Sequence, residues 1–425
     1  MIRLFAELSG HYLMGRLWAV FSIHLHLHVF YLGSVRRDLT FPHTYTAFRI
    51  LTMKTLGRYF FGALIGASLV AKSIAAPVMA VGDNAELFVT ATAAVTHDDN
   101  IYLRSSNAAS DTIWSFQPGV QFLFGQKSAT TGQLYFQENF LKYSSNSKQD
   151  TNLANIGFKS DYSDGKSKLN LGASWQQFAQ NDTSVPGAIV DFEKTNVGAT
   201  GEVAVSDKTS VGLGALYDKT EYKLGSYSSW ANTSIPLDAY FEVNPKLAAS
   251  VGYRFRDTSV THVGVSSKDN FFNIGARGEF SPLLTGQIRV GYDTRSFDKG
   301  SSQNVFGAQA SLAYTVSDKT SLNIGFDNGF GNAASGQNTK TRNISVGAVS
   351  QIDSQWSWNA SLTSMSTEYT STRTDNYLEG TAGVAYVYNK QLNFKASYTY
   401  RDNGSDLSFA KFTNNVFNVG ASIRY

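Results

Sequence analysis

Seven charged residues have the strongest claim to chemistry. Arg254, Arg256, Arg277, Arg289 and Arg295 fall on the polar parity of three consecutive alternating segments, and Glu279 and Asp293 share that parity. Side chains alternate across a strand, so all seven point to one face. Basic and acidic groups facing each other across a narrow space set up a transverse field that tunes which ions pass. Two readings follow: an anion-favouring constriction, or wall-to-wall salt bridges that bind nothing. His97-Asp98-Asp99-Asn100 puts two carboxylates and an amide where a hard cation such as Ca²⁺ binds. Three ligands without the glycine-spaced pattern of a calcium loop read better as a polar strand end. His24, His26 and His28 alternate as metal ligands on a strand can, but they belong to residues 1–52, which hold five of the seven histidines. Beyond residue 80 only His97 and His262 remain, and cysteine is absent. A Ser–His–Asp centre would need one of those two beside an activated serine, and thiolate chemistry is excluded. No catalytic, metal-binding or cofactor-binding residue is expected, and the chain does not read as an enzyme.

The elements that carry these residues alternate at period two from Ala85 onward. Leu169, Leu171, Ala173 and Trp175 oppose Lys168, Asn170, Gly172 and Ser174. Leu247, Ala249, Val251, Tyr253 and Phe255 oppose Lys246, Ser250, Arg254 and Arg256, and Leu392 to Tyr400 opposes Asn393, Lys395, Ser397 and Arg401 in the same way. Each segment runs roughly 10–14 residues, enough to cross a bilayer at a tilt. Tight connections such as Asp164-Gly165-Lys166, Asn244-Pro245-Lys246 and Asn389-Lys390 alternate with longer stretches rich in Ser, Asn, Gly and Thr. The turn Ser-Asp-Lys-Thr-Ser occurs at 206–210 and again at 317–321. Eight short and nine long connections join 18 strands, with 16 as the lower count. The spacing predicts an all-β, transmembrane, antiparallel up-and-down β-barrel with short periplasmic turns and longer extracellular loops. A two-layer sandwich would alternate too, but strands this long and numerous, all joined by plain hairpins, favour closure, and an open sheet edge is excluded from lipid. Few aromatics take the inward parity: Phe178, Phe271 and Tyr377.

Composition agrees. Of 425 residues only 16% are charged, 13% are aromatic and 36 are glycine, with mean hydropathy −0.19. Past residue 80 no apolar run is long enough for a membrane helix. The formal charge of +3 is concentrated at the N-terminus, since residues 81–425 hold 28 Lys/Arg against 31 Asp/Glu. No basic excess points to nucleic acid.

Met53-Lys54-Thr55-Leu56-Gly57-Arg58 is a basic n-region, Phe60 to Val70 an apolar h-region, and Val78-Met79-Ala80 a cleavage site. The expected organisation is an N-terminal extension over 1–52 from a gene-start error, a signal peptide over 53–80 cut after Ala80, and the barrel over 81–425. The chain ends with Phe417, Val419, Ala421, Ile423 and Tyr425 on one side of a strand. Phe417, Ile423 and Tyr425 are the expected signal to the barrel assembly machinery.

The stretch Phe88-Val89-Thr90-Ala91-Thr92-Ala93-Ala94-Val95-Thr96-His97-Asp98-Asp99-Asn100-Ile101-Tyr102, followed by Ser110-Asp111-Thr112-Ile113 and Gln117-Pro118-Gly119-Val120, resembles the opening of the putative β-barrel porin 2 family. It is also similar to EpsL-like barrels of exopolysaccharide operons. The motifs cover about 35 residues, and the architecture covers the rest. The resemblance implies an outer-membrane barrel without a known catalytic or ligand residue, and a link to polysaccharide export.

The leading expectation is passive or semi-selective passage of small hydrophilic solutes through a charged, water-filled lumen. The alternatives are an accessory to exopolysaccharide export and a structural or surface-interaction protein of the outer membrane. Expected partners are outer-membrane lipid and lipopolysaccharide, the assembly machinery, and small solutes or polysaccharide, with no nucleic acid and no cofactor.

Overall fold

The computed structural model describes residues 77–371 and 373–425. The expected extension over 1–52 and most of the signal segment lie outside the described residues.

Strand β1 (Met79–Val81) is a three-residue stub. Eighteen longer strands follow: β2 (Ala85–Asp98), β3 (Asp111–Phe124), β4 (Thr130–Tyr143), β5 (Thr151–Ser163), β6 (Ser167–Asn181), β7 (Ile189–Ala204), β8 (Thr209–Tyr222), β9 (Trp230–Asn244), β10 (Leu247–Val260), β11 (Ser267–Ser281), β12 (Leu284–Phe297), β13 (Gln303–Ser317), β14 (Thr320–Asn332), β15 (Asn338–Gln351), β16 (Trp356–Tyr369), β17 (Thr374–Val387), β18 (Leu392–Ser405) and β19 (Phe412–Arg424). Each of the eighteen pairs antiparallel with its sequence neighbours, and β19 pairs with β2, from Val416↔Asp98 to Arg424↔Thr90. The sheet therefore closes into an 18-stranded barrel. Tyr425 completes the seam: its amide donates to the Val89 carbonyl at 2.9 Å and its carbonyl accepts from the Val89 amide at 2.7 Å. Ala80 lies in β1, opposite Glu86.

The eight short connections lie at the end of the barrel that holds β1 and Tyr425, the inner end. Their turn chemistry is local. Asp353 Oδ1 accepts from the amides of Gln355 and Trp356 at 2.8 and 2.7 Å, and Asn389 Oδ1 does the same for Gln391 and Leu392. Gly125 sits at φ +71°, and a Cβ there would lie 1.8 Å from the Thr130 carbonyl oxygen, so the β3–β4 turn requires glycine. The nine longer connections lie at the opposite, outer end.

The expected parity holds around the wall. Phe272, Ile274, Val251 and Val419 expose their side chains on the outside, as a lipid-facing band must. Aromatics collect near its borders. Trp356 packs on Tyr386 with ring centroids 4.7 Å apart, and Tyr398 packs on Phe417 at the same distance while donating its hydroxyl to Asn415 at 2.7 Å.

One hairpin bends away from β13 on one side, while on its other side β15 stays paired with β16 up to Thr339↔Tyr369. β13 pairs with β12 up to Arg295↔Gln303, but its ladder with β14 stops at Ala308↔Asn328. β14 and β15 stay paired to Asn332↔Asn338. The top of the β14–β15 hairpin therefore peels off β13 and enters the lumen. Phe330 records the turn: its parity is outward, yet it is 1% exposed.

Candidate functional site

The lumen wall of β10–β12 carries the five arginines that sequence parity placed together. Arg256 donates through Nε to Asp269 Oδ2 at 2.6 Å. Arg295 makes a two-pronged contact to the same carboxylate, 2.7 Å to Oδ1 and 2.9 Å to Oδ2. The fork geometry of a guanidinium suits such bidentate pairing. Arg254 reaches Asp293 at 3.3 Å. Arg289 passes over β10 and β11 to Asp238 on β9 at 2.8 Å and to the Tyr240 hydroxyl at 3.0 Å. Arg277 reaches Glu202 on β7, with Nη1 2.7 Å from Oε2, and its guanidinium lies over the Tyr240 ring.

Of the two acids expected on this wall, Asp293 is in it. Glu279 sits at the inner rim and pairs with Lys246 at 2.9 Å. The acids that neutralise the wall are Asp269, Asp238 and Glu202. Sequence reading passed over them because parity alone does not give strand register. Asp269 stands directly opposite both Arg256 and Arg295 in the two ladders it joins. Five guanidinium groups thus meet four carboxylates, and the wall is an ion-pair network rather than a row of bare cations.

The infolded hairpin lies on this network. Arg295 Nη1 donates to the Gly331 carbonyl and to Asn338 Oδ1, both at 2.8 Å, and the Phe330 ring lies 4.9 Å under its guanidinium. Arg256 Nη2 reaches the Phe330 carbonyl at 3.3 Å, and Asn338 Nδ2 reaches the Val265 carbonyl at 3.3 Å. The other side of the hairpin meets the β6–β9 sector. Ala334 donates its amide to Ser184 Oγ at 3.1 Å and accepts from the Ser228 amide at 2.8 Å. Beneath these contacts Val190, Phe192, Tyr222, Trp230 and Ala334 form a buried cluster, with Phe178 stacked on Phe192 at 4.9 Å. The expectation of few inward aromatics is corrected here: Phe88, Tyr143, Phe192, Tyr222, Trp230, Tyr240, Tyr369 and Phe412 join Phe178, Phe271 and Tyr377 on the lumen side. The physical reason is that other parts of the chain cover these rings: the hairpin covers Phe192, Tyr222 and Trp230, Leu103 of the β2–β3 connection packs on Tyr377 and Phe412, and the Arg424 guanidinium lies over Phe88.

A further connection reaches across the outer end of the barrel. Arg373, between β16 and β17, donates to the carbonyls of Ser184 at 2.9 Å and Thr183 at 2.7 Å, which lie between β6 and β7 on the opposite wall. Its Nε pairs with Asp375 at 2.9 Å. Burial works against the charge of Arg373, but hydrogen bonding to Asp375 and the nearby Tyr369 and Asp182 outweigh it and hold its proton more firmly than usual.

The remaining candidates are structural in their contacts. Asp98 and Asp99 accept from Asn414, Asn415 and the Asn100 amide, which ties the first loop to β19. His97 lies 3.3 Å from the Thr112 hydroxyl, and His262 sits in the β10–β11 loop at φ +64°. Among the described residues no three His, Cys, Asp or Glu gather as metal ligands. Phe417 and Ile423 face outward on the closing strand, well exposed beside Tyr425.

A closed barrel with a lipid-facing apolar band and a lumen of paired charges is a porin-like barrel of the outer membrane. The chain belongs to the family described as "Putative beta-barrel porin 2", matched over residues 77–425. No curated protein matches it. Solved structures similar to it include OpdK of Pseudomonas aeruginosa with vanillate (9% identity, 80% of this chain and 99% of that one, TM-score 0.45). OccAB4 of Acinetobacter baumannii is similar at 11% identity (80% and 98% covered, TM-score 0.45), and OpdL of Pseudomonas aeruginosa at 13% (81% and 99%, TM-score 0.44).

Proposed function

We propose that this barrel is a semi-selective diffusion channel for small hydrophilic solutes, exported through a signal peptide cut after Ala80, whose outer mouth is held shut by its own loops. The observation that carries the reading is the nature of the seal. Arg373 and Arg295 hold it through neutral carbonyl and amide oxygens, contacts that water or a solute can replace at little cost. Arg254, Arg256, Arg277, Arg289 and Arg295 then act as a selectivity wall together with Asp293, Asp269, Asp238 and Glu202, with Glu279 at its inner rim. A small excess of guanidinium over carboxylate favours anions weakly.

The aromatic content of the lumen does not argue for a polysaccharide conduit. A sugar rail needs open ring faces, and Phe178 and Phe192 cover each other while Tyr222 and Trp230 are packed under the hairpin.

The test is conductance of the protein purified from outer membranes, in planar bilayers under a salt gradient. The expected result is a small channel with a weakly anion-selective reversal potential, enlarged severalfold by Arg373→Ala. Inserted, heat-modifiable protein that stays silent both as wild type and as Arg373→Ala would overturn the reading.

A further inference from the structure

We propose that the tip of the β14–β15 hairpin has two docking places and gates the lumen by moving between them: the Arg256–Arg295 wall, where it rests here, and the unpaired upper edge of β13. The proposal builds on the channel reading and names the part that moves.

The second place is written in the register. Residues Gln303 to Gly307 of β13 pair with β12 but have no partner on β14. Continuing the existing ladder would set Gly307 against Gly329, Phe306 against Phe330, Val305 against Gly331 and Asn304 against Asn332. The Phe306 carbonyl already faces that side, because it accepts from Asn328 Nδ2 at 2.6 Å. A side-chain amide occupies the place that the Phe330 amide would take in a continued ladder. Unpaired backbone groups on a membrane-facing strand are costly, so this edge favours a returning strand.

The sequence of β14 suits the wall as well as the lumen. Leu322, Ile324, Phe326 and Phe330 share the outward parity, and re-pairing would set Phe330 beside the exposed Phe306 at the lipid border. Gly325, Gly329 and Gly331 occupy the inward parity, where they add no bulk to an open lumen and let the strand bend. The first place offers hydrogen bonds from Arg295 and Arg256 to the carbonyls of Gly331 and Phe330 and to Asn338. Leaving it frees those donors while both arginines keep Asp269, so no unpaired charge is stranded. The resting place also holds Ala334 through Ser184 and Ser228, and Asn338 through Val265, so it outweighs the roughly four ladder bonds of the second place and is the position seen here, with the β13 edge as the alternative.

The chain has no cysteine, so a disulfide can be introduced cleanly. Val305→Cys with Gly331→Cys would face each other as a non-hydrogen-bonded pair, at a Cα separation of about 4.5 Å when the ladder is continued, within the range a disulfide spans. Gln303→Cys with Ala333→Cys is the second pair, and avoids replacing a glycine. Both are made in the full chain, checked for heat-modifiable folding, and treated with a mild diffusible oxidant. The expected result is an intramolecular disulfide, seen as a gel shift reversed by reductant, and a severalfold rise in single-channel conductance reversed by the same reductant. Two folded pairs that both stay reduced would overturn the proposal, and so would a disulfide that leaves conductance unchanged in a conducting protein. Silence of the wild type, of Arg373→Ala and of the crosslinked protein alike would instead remove the channel reading on which the gate rests.

Discussion

Asp269, Asp293 and Arg295 are fully buried in the outer half of the barrel, whereas Lys395 and Ser311, on the same inward parity in the inner half, remain open to solvent. The wall strands are the same strands in both halves, so the strand pattern does not make the difference. It comes from the β14–β15 hairpin, the Arg373 connection and the β2–β3 connection, whose Leu103 packs on Tyr377 and Phe412; together they fill the outer half and turn lumen positions into a core. Charges that would be solvated in a wide barrel are there desolvated, and they persist because each is paired and hydrogen-bonded.

That difference can be broken with one substitution in each half. Asp269→Ala would leave Arg256 and Arg295 facing each other with their shared carboxylate gone, in a place where all three are buried. The expected loss is about 3–5 kcal/mol, the cost of stranding a buried charge. Glu202→Ala removes the partner of Arg277 in the inner half, where the pair keeps 20% and 17% of its side-chain exposure. Water can replace the missing carboxylate there, and the expected loss is about 1–2 kcal/mol. Denaturant unfolding in lipid vesicles measures both. Equal losses would mean that the two halves are alike in burial and that the hairpin does not seal the outer one.

The inner half has its own point of vulnerability, the seam where Tyr425 pairs with Val89. We propose that Phe417, Ile423 and Tyr425 present the closing strand to the assembly machinery. Tyr425→Asp would place a charge at the outward, lipid-border end of that strand. The expected outcome is a clear fall in heat-modifiable barrel in the outer membrane, with the outer-half ion pairs unaffected in whatever barrel does assemble. Normal levels of the variant would show that the terminal residue is dispensable.

How much of this was legible in the sequence follows the same division. Strands, turn positions, barrel closure and the placing of Arg254, Arg256, Arg277, Arg289 and Arg295 on one wall all come from period-two alternation and from turn residues such as Asp353 and Asn389, which are local signals. Asp269, Asp238 and Glu202 were missed because they meet their arginines across strands, and register is a non-local property. The signal for Asp269 was present, since it shares the inward parity of the strand following Arg256, but the length of the intervening loop left its partner open. The infolded hairpin was hidden more deeply. Leu322, Ile324, Phe326 and Phe330 read as an ordinary lipid-facing row, and only the cluster Gly329-Phe330-Gly331 hinted that this strand could leave the wall. A sequence that fits two positions shows the pattern of both, and alternation reports the one in the barrel wall.

The smallest expected effect lies in the inner turns, which hold the wet half together without help from burial. Asp353 is fully exposed, and its carboxyl sits below the ordinary value of 3.8 because the Trp356 and Gln355 amides hydrogen-bond to its ionised form. A carboxylate whose folded pKa is depressed contributes stability that is fully present above its unfolded value and is lost as pH falls through the folded one. The β15–β16 turn should therefore contribute nothing extra below that window and its full small share above pH 5 or so. Asp353→Ala should lower the denaturant midpoint slightly at pH 7, and the difference should shrink as the pH falls through the depressed pKa of the wild-type carboxyl and vanish once that carboxyl is protonated. Asp353→Asn separates the charge from the turn geometry, since an amide oxygen can still accept both amides. If Asp353→Asn matches wild type at pH 7, the hydrogen bonds alone fix this turn. If it falls with Asp353→Ala, the negative charge is needed as well, and the inner half, like the outer, depends on ionised groups.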